Sequence, residues 1–161
     1  MTFDAEQATQ DYINSLGTQA LEKAAAYTSG NHWLMLSGLL VTVLVTWLIV
    51  RSGLLHRIAA TLSNRGFFLR TFSICAGFLV LSGIIELPWS IYTGWWRETL
   101  YGRTSQSLAD FLGQSGLALA LNTLFMGLFL TAVYGLIQRV GSRWWLWSGS
   151  LTAGSIALLL L

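Results

Sequence analysis

The chain has 161 residues, is 54% hydrophobic and only 10% charged, and its mean hydropathy is +0.60, whereas a soluble domain is roughly a quarter charged. That balance excludes a water-soluble globular domain and points to an integral membrane protein. The formal net charge is +2 with a pI of about 9.0, but the arginines lie in short segments between apolar runs rather than along one face, which argues for membrane topology and against nucleic-acid binding.

Residues 1–31 carry Asp4, Glu6, Asp11 and Glu22 against Lys23. They have neither the basic n-region nor the apolar h-region of a cleavable signal, so insertion rests on the first span. Asp4 followed by Gln7 resembles a capping box. Ala8, Tyr12 and Leu16 recur at four-residue spacing, with Ile13, Ala20 and Ala24 near the same face. This predicts an amphipathic helix, weakened at Gly17, lying against the membrane surface or the other helices. A solvated segment with no partner fits the same pattern.

Four apolar runs follow, Trp33–Val50, Phe72–Trp96, Leu117–Ile137 and Trp144–Leu161, each near the ~20 residues that cross ~30 Å of hydrocarbon. Between the first two lie Arg51, His56, Arg57, Arg65 and Arg70 without an acid. By the positive-inside rule this 51–70 loop is cytoplasmic, the N-terminus and the Arg97–Gly116 connection are outside, and the loop carrying Arg139 and Arg143 is inside. Topology explains these charges without a phosphate or headgroup partner. Cys75 has no second cysteine to pair with and reads as a small core hydrophobe.

The second run holds Glu86 and Pro88, the latter the one proline of the chain. Proline removes a backbone donor and disfavours helical geometry at Leu87, which predicts a kink or break. A carboxylate at this depth is a functional candidate, unless it is hydrated or paired with Arg97 or Arg103 near the interface. Trp89, Tyr92, Trp95 and Trp96, with Trp33, form an aromatic belt at the outer boundary, and Trp144, Trp145 and Trp147 form one at the inner boundary. Ser107, Leu108, Phe111 and Leu112 suggest a short amphipathic surface helix between the second and third runs. The third run contains Asn122, Gly127 and Tyr134. In the fourth, Gly149 with Ala153 and Ser150 with Gly154 sit at four-residue spacing, which lets helices approach closely. That run ends in an apolar tail with no interfacial anchor, so the polypeptide is expected to continue past Leu161.

No His-Glu-x-x-His pair, nucleophile elbow, P-loop or dinucleotide fingerprint is present. His32 and His56 fall at opposite membrane faces in this topology and cannot share a metal. The chain by itself carries no complete catalytic site, no metal ligand set and no cofactor site.

The stretch around the second boundary nevertheless resembles a known family. Leu87-Pro88, Ser90 to Tyr92, Trp96-Arg97-Glu98, Tyr101-Gly102 and Thr104 to Ser107, together with Ala26-Tyr27-Thr28, Gly30, His32-Trp33 and Arg143 to Trp147, are similar to the N-terminal membrane domain of the CAAX prenyl protease family of zinc metallopeptidases, especially its bacterial members. The resemblance implies that a further span and a zinc-binding helix follow, and that the whole encloses an intramembrane chamber with a cytoplasmic active site. It implies a role as chamber wall, with Glu86, Pro88, Tyr92, Arg97, Glu98, Tyr101, Gly102 and Arg103 as structural or chamber-lining elements and none of them a zinc ligand.

The expected protein is therefore an all-α integral membrane bundle of four transmembrane helices (32–161) with an N-terminal amphipathic segment (1–31), in a bacterial inner membrane. Zinc, the catalytic remainder of the polypeptide and a peptide or protein substrate belong to the intact enzyme. Glu98 with Arg97 or Arg103 is expected to hold the outer loop closed. The competing reading is a complete small four-helix membrane subunit or assembly factor without catalysis, with Glu86 and Asn122 contacting its partner.

Overall fold

The computed structural model describes residues 5–141 and 144–160, and every regular element in it is helical. In chain order these are α1 (Ala5–Ser15), α2 (Thr18–Ser52), α3 (Leu54–Thr61), α4 (Phe67–Ser90), a π-helical segment (Ile91–Trp96), α5 (Arg97–Leu100), α6 (Leu108–Val140) and α7 (Trp144–Leu160).

Gly17, at φ +78° and ψ 157°, separates α1 from α2, because this extended positive-φ conformation lies outside the helical region and is open to glycine, which has no Cβ to clash. The helix predicted over the first 31 residues is thus divided. α1 buries none of its residues, and Asp4 lies outside the described residues. From Thr18 onward the polar segment is continuous with the first span, so the boundary drawn at residue 31 falls within one helix. Ala20 and Ala24 to Ala26 favour helix strongly, and the isolated Gly30 does not interrupt it.

Three helical stretches are long and apolar enough to cross a membrane: Thr18–Ser52, Phe67–Leu100 and Leu108–Val140. The chain is a multi-pass integral membrane protein. Each of these rods exceeds the ~20 residues required, so each projects beyond the hydrocarbon. The fourth expected span coincides with α7, whose 17 residues rise about 25 Å. Large apolar side chains such as Met35, Leu40 and Phe125 are mostly uncovered, as expected of surfaces that meet lipid rather than water.

α4 packs on α2, α3 and α6, and α6 in turn meets α7. Val45 and Ile49 on α2 and Cys75 on α4 form the buried apolar core. Close approach of α4 and α6 uses Gly127, where an added Cβ would stand 3.0 Å from the Phe72 ring. One turn on, buried Thr131 donates its hydroxyl to the Gly127 carbonyl at 2.7 Å. The small-residue seam expected on α7 is not used in this way: nothing lies within 4 Å of a Cβ at Gly149 or Gly154.

The basic 51–70 connection is not a plain loop. Gly53 (φ +69°) closes α2 and opens α3, whose Leu55 and Ile58 lie over Gly77 of α4 while Arg57, Arg65 and Arg70 stay exposed. Pro88 does not break its helix either. The amide of Ile91 donates to the Leu87 and Pro88 carbonyls, and that of Arg97 donates to Tyr92, five residues back. A π turn absorbs the disturbance and turns the following side chains to a new face. The surface helix expected around Ser107 is the first turn of α6. Ser107 caps it, its hydroxyl oxygen accepting from the Asp110 amide at 3.1 Å and its proton going to Asp110 Oδ2 at 2.7 Å.

Candidate functional site

Arg97 is the first residue after the π segment, and it is the one arginine buried among the described residues, at 6% exposure. A buried guanidinium requires partners for its donors. Nη1 donates to Asn31 Oδ1 at 2.8 Å and Nη2 to the Tyr27 carbonyl at 2.6 Å. Both acceptors belong to the polar extension of α2, one turn apart, so this bond pair ties the end of α4 to a helix 66 and 70 residues earlier. Gly30 lies between them, and a Cβ there would stand 2.8 Å from Nη2. The absence of a side chain at that position is what admits the guanidinium.

Glu98 organises the opposite side. It accepts the Tyr27 hydroxyl at 2.7 Å and Arg103 Nε at 3.0 Å, and its Oε1 is 3.8 Å from Arg97 Nη1. Arg97 and Arg103 place their guanidinium carbons 4.2 and 4.6 Å from the centre of the Tyr27 ring, and Arg97 is 5.2 Å from that of Tyr101. The two tyrosine rings meet edge to face at 5.1 Å. Cation–π attraction and charged hydrogen bonds therefore converge on Tyr27.

Backbone contacts close the loop that carries Arg103. Gly102 adopts φ +70°, which lets the Arg103 amide return to the Glu98 carbonyl at 2.8 Å. Trp95 donates its indole N–H to the Gln106 carbonyl at 2.9 Å, and Phe111 of α6 packs its ring 3.3 Å from a Cβ position at Gly94. The result is a cap where the N-terminal part of α2 meets the segment that follows α4, pinned from three directions.

Of the residues singled out from the sequence, Arg97, Glu98, Tyr101, Gly102 and Arg103 are brought together here. Tyr92 instead forms an aromatic column with half-buried Trp89 and exposed Trp96, at 5.7 and 5.4 Å between ring centres. Trp95, expected in the same belt, points to the loop. Trp145 and Trp147 are exposed on α7, whereas Arg143 and the Trp144 side chain fall outside the described residues.

Glu86 joins neither arginine. Eleven residues of helix separate it from Arg97, about 16 Å along the axis. It lines a groove of about 480 Å³ between α4 and α6, with Ser90, Ser115 and Gly116, and among the described residues it has no ion-pair partner. Tyr27, Gly30 and Asn31 were missed as site residues. Their spacing of three and four puts them on one helix face just ahead of Trp33, which is the signal that could have found them.

Among the described residues no three His, Cys, Asp or Glu side chains are grouped to hold a metal. A family model described as CAAX prenyl protease N-terminal, five membrane helices, matches residues 5–161. No curated protein and no solved structure gives a significant match.

Proposed function

Because the chain belongs to the CAAX prenyl protease N-terminal family, we propose that it is the N-terminal transmembrane portion of a membrane zinc metalloendopeptidase, walling part of an intramembrane chamber whose catalytic site lies on the rest of the polypeptide. The observation that carries this reading is the family match over residues 5–161. The described residues offer no zinc ligand set, so zinc is assigned to the catalytic portion and none of its chemistry to the residues here.

What these residues contribute is a rigid wall. The Arg97 cluster holds α2 against the segment that follows α4, and α2 and α4 also pack on each other directly. Glu86, in the α4–α6 groove, is the carboxylate the wall offers to the chamber or to the catalytic helices seated beside it. In this proposal α2, the α4–α5 rod, α6 and α7 are four spans in a bacterial inner membrane, with the basic 51–70 segment cytoplasmic and the Arg97 cap on the outer face. Peptides or proteins are the substrates of the intact enzyme.

The gene downstream of the Leu161 codon tests the proposal. A His-Glu-x-x-His helix with a later glutamate, and chelator-sensitive peptide hydrolysis by the complete product, are the expected findings. A stop codon directly after Leu161 would overturn it in favour of a small membrane subunit.

A further inference from the structure

Beside the cap lies a pocket of about 340 Å³ between α2 and the loop that follows α5, with Lys23, Tyr27, Thr28, Tyr101 and Arg103 in its lining. Lys23 projects across it toward Gly102, its Nζ 4.0 Å from where a Cβ on that glycine would be. Among the described residues Lys23 has no ion-pair partner. Arg103 gives Glu98 its Nε, which leaves its terminal nitrogens for another acceptor. The lining carries two cations, Lys23 and Arg103, and no carboxylate; Glu98 pairs with Arg103 and stands near Arg97. Glu22 precedes Lys23 in sequence but is not in the lining, so the pocket keeps an excess of positive charge.

We propose that this pocket binds a phosphate group. An ammonium and a guanidinium in one lining, with the Tyr101 phenol beside them, supply donors of different kinds. That arrangement suits a multivalent oxyanion better than a lone carboxylate. Tyr27 stands six residues before Trp33, about 9 Å above the aromatic boundary, at the outer edge of the headgroup layer. Either an anionic phospholipid headgroup or a soluble phosphate can supply the group.

Two arms of one experiment separate these sources. The purified full chain, freed of lipid in detergent, is titrated calorimetrically with inorganic phosphate. The same protein is released from equimolar phosphatidylglycerol and phosphatidylcholine bilayers into a mass spectrometer under native conditions. Preferential retention of phosphatidylglycerol, falling about fivefold in Lys23→Ala and kept in Lys23→Arg, assigns the site to lipid. Phosphate binding in detergent that Lys23→Ala abolishes, without lipid preference, assigns it to a soluble phosphate. Binding in neither arm, or binding unchanged in both Lys23→Ala and Arg103→Ala, overturns the proposal. Lys23 is exposed, so its variants are expected to keep the wild-type helical circular dichroism, and that spectrum is recorded for each before its binding is read.

Discussion

Replacing Arg97 by alanine tests whether the cap holds α2 to α4. The substitution removes two hydrogen bonds from a charged donor, to Asn31 and to the Tyr27 carbonyl, each worth about 1.5–3 kcal/mol. It also removes the stacking on Tyr27 at 4.2 Å, worth about 1 kcal/mol. Part of that is recovered. Asn31 is exposed and rehydrates, the Tyr27 carbonyl keeps its place in the helical ladder, and Glu98 retains Tyr27 and Arg103. A net loss of about 3 kcal/mol is expected, which for a chain of this size lowers the unfolding midpoint by roughly 6–12 °C. Thermal unfolding in detergent, followed by circular dichroism, measures it. Arg97→Lys should lose about half as much, since an ammonium cannot fork to both acceptors. A double-mutant cycle with Asn31→Ala should give a coupling of about 1–2 kcal/mol. An Arg97→Ala midpoint within 2 °C of wild type, on the order of the smallest shift worth reading, would refute the assignment.

Gly30→Ala should destabilise by about 1–2 kcal/mol through displacement of the guanidinium, and should become neutral in an Arg97→Ala background; additive losses would mean that Gly30 matters for another reason. The Glu98–Arg103 pair, whose arginine side chain is 58% exposed, should couple by no more than about 1 kcal/mol and lose that coupling in high salt, as a double-mutant cycle at two ionic strengths would read. Gly127→Leu should separate α4 from α6 and cost several kcal/mol, on the order of 3, whereas Gly149→Leu on the open face of α7 should leave unfolding unchanged. Equal effects at the two glycines would show that α6 does not use Gly127 as its contact point.

The membrane class was legible from composition, because hydrocarbon demands long apolar runs whatever their packing. So was the pairing of Glu98 with its neighbouring arginines, since residues 97–103 are close in the chain and follow the last apolar residue. Helix length was not legible from hydropathy. Apolarity marks the part of a helix that meets lipid, and the polar turns of α2 from Thr18 to Asn31 carry no such mark although their backbone is equally helical. The partners of Arg97 were hidden for a related reason. Which face Arg97 presents depends on the extra residue of the π segment, and proline signals a disturbance without saying whether the helix breaks or absorbs it. Glu86 was equally ambiguous from sequence, and axial distance along α4 decided that it stands apart from both arginines. On α7 the small residues matched the spacing of a packing seam, but spacing says nothing of which neighbour is within reach.

The Arg97 clamp has a mechanical consequence. α2 and α4 pack on each other, and beyond the π segment Arg97 bonds a second time to α2, at Tyr27 and Asn31. Two rods bolted at two separated points cannot scissor about either one. They must lean and travel as a single plate. α7 meets the bundle at α6 and leaves Gly149 and Gly154 uncovered.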